Sequence, residues 1–225
     1  MATFVLVHGA WGGSWGYGPL ARELRAAGHE VHVPSLTGLG ERAHLAHGGI
    51  TLSDHVADVT GLIDCEGLDD IILVGHSYGG MVITGVSALR GSRIRSLVYL
   101  DAFLPQDGQA LWDIVDDRTR AMYIENQRAT PGLIEPIFPI PPGRAGRVSG
   151  HPLLTLLEPV KLGGEESAIG RHVYVYASAS PVGSFAQFRE RCAADPAWTV
   201  HDLATGHMVF DDDLAGTTRI LLAEA

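Results

Sequence analysis

Apolar runs of strand length alternate along the chain with stretches whose apolar positions recur at helical spacing. Phe4-Val5-Leu6-Val7 and Ile71-Ile72-Leu73-Val74 are unbroken apolar runs, as expected of strands covered on both faces. Ile94 to Leu100, His172 to Tyr176 and Trp198 to Leu203 read as further strands, and Glu30 to Val33 as a short one. Helical patterns lie between them. Pro19 to Ala27 places Leu20, Leu24 and Ala27 on one face and stops at Gly28; a second helix, capped by Thr51 or Ser53, carries Val56, Val59 and Ile63. Others run from Gly79 to about Leu89, Phe185 to Ala193 and Leu214 to Ala223. This alternation predicts an α/β fold, with βαβ units on a parallel sheet flanked by helices.

Residues 102 to about 170 break the rhythm and hold 8 of the 12 prolines. A structureless loop of that length does not belong in a compact domain. The segment therefore reads as a small inserted cap, with helices near Leu111 to Gln127 and Leu153 to Leu157, within one domain spanning residues 1–225. No internal repeat is present.

Composition narrows the function. The 28 glycines show no three-residue period, which excludes collagen-like and low-complexity chains and points to tight turns where backbone approaches backbone. The net charge of −10 disfavours phosphate backbones and anionic membranes, so neither nucleic acid nor membrane is an expected partner. No apolar run approaches the roughly 18 residues of a membrane span. The amino terminus carries no basic leader, and Cys65 and Cys192 are too few for a disulfide framework; the expectation is a cytoplasmic protein, monomer or homodimer, with reduced thiols.

The chemistry concentrates at three turns. Gly75-His76-Ser77-Tyr78-Gly79 has the G-x-S-x-G pattern. Its placement between the clearest strand and a helix is what a nucleophile elbow requires, the glycines sparing collisions around a strained serine. A serine hydroxyl needs a base. Of the eleven histidines, His207 lies in the loop after the last strand, at the sheet end where such loops converge. The oxyanion of an acyl transfer needs donors. The expected ones are the backbone N–H groups of Tyr78, at the helix start, and Ala10, in the loop His8-Gly9-Ala10-Trp11-Gly12-Gly13. That loop lacks G-x-G-x-x-G, and no acidic residue ends the second strand, so it is not a dinucleotide cradle. Trp11, Trp112 and Met208, with Tyr78, Met122, Tyr123 and Phe138, are candidates for an apolar substrate pocket.

Together, Phe4-Val5-Leu6-Val7-His8-Gly9-Ala10-Trp11, Gly75-His76-Ser77-Tyr78-Gly79-Gly80 and Gly206-His207-Met208 resemble the α/β-hydrolase fold. The closer resemblance is to its small branch of plant methyl esterases, hydroxynitrile lyases and related bacterial esterases. It implies about six parallel strands, the family's two leading strands being absent. Hydroxynitrile lyases of this branch place a lysine after the catalytic histidine; Met208 stands there, as in the esterases. The branch usually takes its triad acid from the loop after the penultimate strand, which here reads Ala177 to Gly183 without a carboxylate, with Ser178 at the matching place. The fold's known alternative, as in some haloalkane dehalogenases, is an acid at the end of the strand after the nucleophile helix, and Asp101 stands there. Asp202 lies inside the last strand and is a poor rival.

The reading is a serine hydrolase acting on a small carboxylic ester, or a related carbamate or amide-like bond, without cofactor or metal. Its alternatives are a non-catalytic small-molecule-binding protein on the same fold and a lyase. The pairs His44/His47 and His29/His32 lack the third ligand of a metal site. Asp211-Asp212-Asp213 reads as a solvated run favouring the amino end of the final helix.

Overall fold

The computed structural model describes residues 1–140, 142–180 and 182–225; Pro141 of the insertion and Pro181 of the carboxylate-free loop lie outside the described residues. The strands are β1 (Thr3–Val7), β2 (Glu30–His32), β3 (Ile71–His76), β4 (Ile94–Leu100), β5 (Leu133–Ile134), β6 (His151–Pro152), β7 (Arg171–Ala177) and β8 (Trp198–Leu203). The helices are α1 (Gly18–Ala26), α2 (Leu52–Cys65), α3 (Gly79–Arg90), α4 (Leu111–Ile114), α5 (Asp117–Asn126), α6 (Leu154–Leu157), α7 (Ala186–Ala193), α8 (Val209–Asp212) and α9 (Leu214–Leu222).

Six strands form one parallel sheet in the order β2-β1-β3-β4-β7-β8. Because successive side chains point to opposite faces, each buried strand feeds two cores. Val5, Val7, Leu73, Tyr99 and Tyr174 pack with α2, α3 and α7 on one face. Phe4, Leu6, Val74, Val98 and Val175 pack with α1 and α9 on the other. Helix α3 is buried from Gly79 to Ala88, so it runs through the molecule rather than over it. Thr51, not Ser53, caps α2: its hydroxyl accepts from the Asp54 N–H while Asp54 accepts from the Thr51 N–H at 2.8 Å, a reciprocal capping box.

The chain leaves β1 for β2 on one side and returns to β3 on the other. The loops after β1 and β3 therefore part at a switch point, where parallel sheets open a crevice beyond their carboxyl ends. The segment between β4 and β7 holds α4, α5, the antiparallel pair β5–β6, and α6. One helix expected near Leu111 to Gln127 is two. Val115 turns extended, and Asp116 starts α5 by accepting from the Thr119 N–H at 2.8 Å. A cap residue in mid-pattern ends one helix by beginning the next. Among the described residues no helix is long and apolar enough to cross a membrane.

Candidate active site

Ser77 follows β3 directly with φ +54°, the left-handed region that a residue with a side chain seldom occupies. The turn is possible because its neighbours have no side chains: a Cβ on Gly79 would lie 2.5 Å from the Val7 carbonyl oxygen, and one on Gly80 2.0 Å from that of Phe103. The Ser77 carbonyl accepts from the N–H groups of Gly80 (3.0 Å) and Phe103 (3.1 Å), tying the elbow to α3 and to the chain beyond β4.

Asp101 follows β4 directly, also with positive φ (+42°), and its carboxylate is fully buried. The His207 Nδ1–H donates to Oδ2 at 2.7 Å, and the Ala177 N–H donates to Oδ1 at 3.2 Å, so both oxygens are engaged. The His207 ring lies between two others. Phe185 is stacked at 5.1 Å and 10°, and His76 sits 4.5 Å away on a tilt. His76 Nε2–H donates to the His207 carbonyl oxygen at 2.9 Å, fixing the loop that carries His207. Burial first, and then the neighbouring His207, hold the His76 imidazole well below its ordinary pKa, so this ring stays neutral. Ser77 and His207 line the same cavity but form no direct hydrogen bond among the described residues; in ligand-free sites such contacts often tighten only with substrate.

The loop after β1 is held by its own histidine. His8 Nδ1–H donates to the Gly9 carbonyl at 2.8 Å while Nε2 accepts from the Leu36 N–H at 3.1 Å, which selects one neutral tautomer. Burial lowers its pKa to about 4. The backbone N–H groups of Ala10 and Tyr78 have no acceptor among the described residues. The Tyr78 phenol runs away from the cavity and donates to His55 Nδ1 at 2.9 Å; His55 Nε2–H in turn donates to the Thr37 carbonyl at 2.9 Å.

The cavity has a volume of about 500 Å³ and is mostly apolar. The loop after β1 supplies Trp11, Trp15 and Tyr17, the insertion supplies Val115, Tyr123 and Phe138, and Val182, Phe185 and Met208 close the remaining wall. Trp112 is a correction: it is not among the lining residues, and its indole, half-buried, packs against the core with its ring centre 6.4 Å from that of Tyr123. Tyr78 and Met122 are likewise absent from the lining. Ser178 donates to the Leu203 carbonyl at 3.0 Å and is exposed, and Asp202 is bound by Arg189 on the surface. The three consecutive aspartates have separate tasks rather than a shared one. Asp211 pairs with Arg144 of the insertion, Asp212 accepts from the Gly206 N–H at 2.8 Å, and Asp213 caps α9 through the Gly216 N–H at 2.8 Å. Sequence reasoning passed over Arg144 and Trp15. Two arginines over one indole, Arg144 at 5.6 Å and Arg147 at 4.6 Å from the Trp15 ring centre, carry no local sequence signal.

Among the described residues no three His, Cys, Asp or Glu side chains gather to hold a metal. His29 accepts from the Ala2 N–H and His32 bonds Glu30, so that pair is spent locally.

The model of the Alpha/beta hydrolase family matches residues 4–217. The chain belongs to the alpha/beta hydrolase family. Over 229 residues it is 42% identical to a carbendazim hydrolyzing esterase of Nocardioides sp. (strain SG-4G), a match covering 94% of this chain and 95% of that one. It is 36% identical to methylesterase 4 of Arabidopsis thaliana over 104 residues, 45% of this chain and 40% of the plant protein. Among solved structures, an extracellular alpha/beta-hydrolase from a Paenibacillus species superposes with a TM-score of 0.86 at 24% identity, covering 100% of this chain and 99% of that one. This agrees with the six-stranded parallel sheet of this family member.

Proposed function

We propose that this hydrolase cleaves small carboxylic esters or carbamates with a flat apolar group, using Ser77 as nucleophile, His207 as base and Asp101 as the acid that orients it. Ester hydrolysis by a serine enzyme is the activity of the chain, in keeping with an esterase relative 42% identical over nearly its full length. The observation that carries the residue assignment is the 2.7 Å bond from His207 Nδ1–H to a fully buried Asp101 carboxylate, beside the cavity that Ser77 also lines. With Nδ1 protonated, Nε2 is free to accept the serine proton.

In the reaction Ser77 Oγ attacks the substrate carbonyl as His207 Nε2 takes its proton. The tetrahedral oxyanion receives hydrogen bonds from the Ala10 and Tyr78 N–H groups. His207 then returns the proton to the departing alcohol or amine oxygen or nitrogen. A water, deprotonated by His207, attacks the acyl-enzyme carbonyl, and the imidazolium returns that proton to Ser77 Oγ as the acid leaves. Asp101 stays ionised throughout and steadies the imidazolium. The segment 102–170 acts as a cap, supplying Tyr123 and Phe138 to the apolar wall and excluding water from the acyl-enzyme. Met208, where a lyase of this branch has lysine, puts no cation directly after His207 to hold a cyanide leaving group. Two unpaired cysteines, Cys65 exposed and Cys192 buried, suit a reducing cytoplasm.

Hydrolysis of a p-nitrophenyl butyrate by the wild type and by Ser77→Ala tests the reading. The wild type turns over steadily and is labelled once by a fluorophosphonate. Comparable turnover by Ser77→Ala would remove Ser77 from the mechanism.

A further inference from the structure

Trp11 follows Ala10, whose N–H the proposed mechanism aims at the oxyanion. Its backbone is left-handed, φ +60°, a conformation unfavourable for a bulky side chain. Such a residue keeps that shape only when its surroundings over-determine it. Here the surroundings are the insertion. The indole Nε1–H donates to the Ile134 carbonyl at 2.7 Å, and the Trp11 carbonyl accepts from the Ser149 N–H at 3.4 Å. The ring is buried, 6% exposed, against Phe138, His151 and Tyr123 at 5.2, 5.8 and 6.5 Å between ring centres, all three again from the insertion. The loop's own bonds are fewer: His8 holds the Gly9 carbonyl, and the Gly12 N–H donates to the same carbonyl at 3.4 Å, a long bond closing a turn around Ala10 and Trp11, to which the insertion adds the contacts to the indole and to the Trp11 carbonyl. Ile134 and His151 are register partners in the β5–β6 pair, so the segment gripping the indole is itself a closed unit.

We infer that Trp11 is a positioning residue through which the insertion holds the oxyanion loop in its catalytic shape, so that the segment covering the substrate also sets the transition-state donor. This rests on the proposed function, since it concerns the donor that function assigns to Ala10. The same indole lines the cavity. A bound acyl group that packs against it presses the ring toward Ile134, and the clamp and the substrate then favour the same loop geometry. If Trp11 were merely a wall of the pocket, losing it would weaken substrate binding. As a clamp, its loss acts on the step that makes charge.

The test compares kcat and KM on p-nitrophenyl butyrate, and inhibition by a phenylboronic acid that forms a tetrahedral adduct on Ser77, in four proteins: wild type, Trp11→Phe, Trp11→Ala and Trp11→Gly. Trp11→Phe retains an aromatic ring but cannot donate to Ile134. Its kcat falls about tenfold or more, on the scale of a misplaced catalytic group, with KM within about threefold and boronate affinity falling in parallel with kcat/KM. Glycine adopts positive φ without strain whereas alanine does not, so kcat of Trp11→Gly exceeds that of Trp11→Ala, although glycine leaves the larger void. Unchanged kcat in Trp11→Phe overturns the inference, as does a rise in KM alone or a glycine variant no faster than alanine. Should Trp11→Phe fail to fold, incorporation of 3-benzothienylalanine, which replaces the N–H by sulfur and keeps the bicyclic shape, gives the same comparison. Wild type that does not hydrolyse the ester overturns both readings; wild type active and Trp11→Phe equally active overturns the clamp alone.

Discussion

Asp101→Asn separates the two jobs of the buried carboxylate. In the native site one oxygen accepts from His207 Nδ1–H and the other from the Ala177 N–H. An asparagine has one oxygen and one NH₂ to meet two donors. If its oxygen faces Ala177, the NH₂ meets Nδ1, and the imidazole must place its proton on Nε2, where it cannot accept from Ser77. If its oxygen faces His207, the Ala177 N–H is buried against an NH₂, at a cost of about 1–3 kcal/mol. The working tautomer is thus the minor one. Even there the negative charge is gone. At an effective dielectric of about 20 and a charge separation of about 4 Å, that charge is worth about 4 kcal/mol to the imidazolium. Together these are about 5–7 kcal/mol, a loss of roughly 10⁴ to 10⁵ in kcat, discounted toward 10³ where water relaxes the site. The assay is initial-rate hydrolysis of a p-nitrophenyl ester by Asp101→Asn, with fluorophosphonate labelling as a second reading of nucleophilicity and a thermal melt to show folding. A folded variant slowed less than tenfold would place the orienting acid elsewhere.

Acid stability follows from buried imidazoles. Burial depresses His8 to about 4, lowers His55, and holds His76 and His151 well below the ordinary histidine value. Below pH 6.5 the unfolded chain binds protons that the native one refuses, so stability falls with pH at up to about 1.4 kcal/mol per unit for each such histidine, until the native pKa is reached near 4 for His8. Melting temperatures from pH 7.5 to 4.5 should drop steeply below 6.5, and a flat profile down to pH 5 contradicts this. Gly80→Ala forces a Cβ against the Phe103 carbonyl, 2.0 Å away; a shift of the urea midpoint corresponding to at least about 3 kcal/mol is expected, and a wild-type midpoint refutes the packing argument. Tyr78→Phe leaves His55 Nδ1 buried without its donor. It should cost about 1–3 kcal/mol in urea unfolding while kcat changes less than about threefold, because the backbone N–H is untouched.

The parts of this molecule legible in its sequence are those where one strand or one turn decides the outcome. The run Ile71 to Val74 and the elbow after it are local, and the glycines there announce the close backbone approach later seen at Val7 and Phe103. Asp101 is expected from the resemblance to the hydrolase fold, whose alternative acid position is the end of the strand after the nucleophile helix, and its carboxylate accepts from His207 Nδ1–H. Trp112 misled because an aromatic lining a cavity and one packed into the neighbouring core look alike in sequence; here the indole lies against Tyr123, which does line the cavity. The split between α4 and α5 turned on the Asp116 side chain finding the Thr119 N–H, a choice the apolar pattern of Leu111 to Gln127 does not record. Arg144 pairs with Asp211 across 67 positions, and such a contact exists only once the insertion has folded back over the sheet.

In the proposed mechanism the orienting carboxylate follows β4, and the segment after β7 then has no catalytic duty. Ser178 merely bonds a carbonyl of β8, while Val182, Ser184 and Phe185 face the substrate cavity. In a hydrolase whose acid sits after β7, that stretch cannot be lengthened or exchanged without moving the acid. Here the proposed site asks of it no carboxylate, only the Ala179 N–H bond to the Thr205 carbonyl at 3.1 Å, which ties it to the loop bearing His207. Substitution of Val182 and Ser184, which line the cavity, should therefore retune which acyl or alcohol group is accepted while the Asp101–His207 pair stays in place.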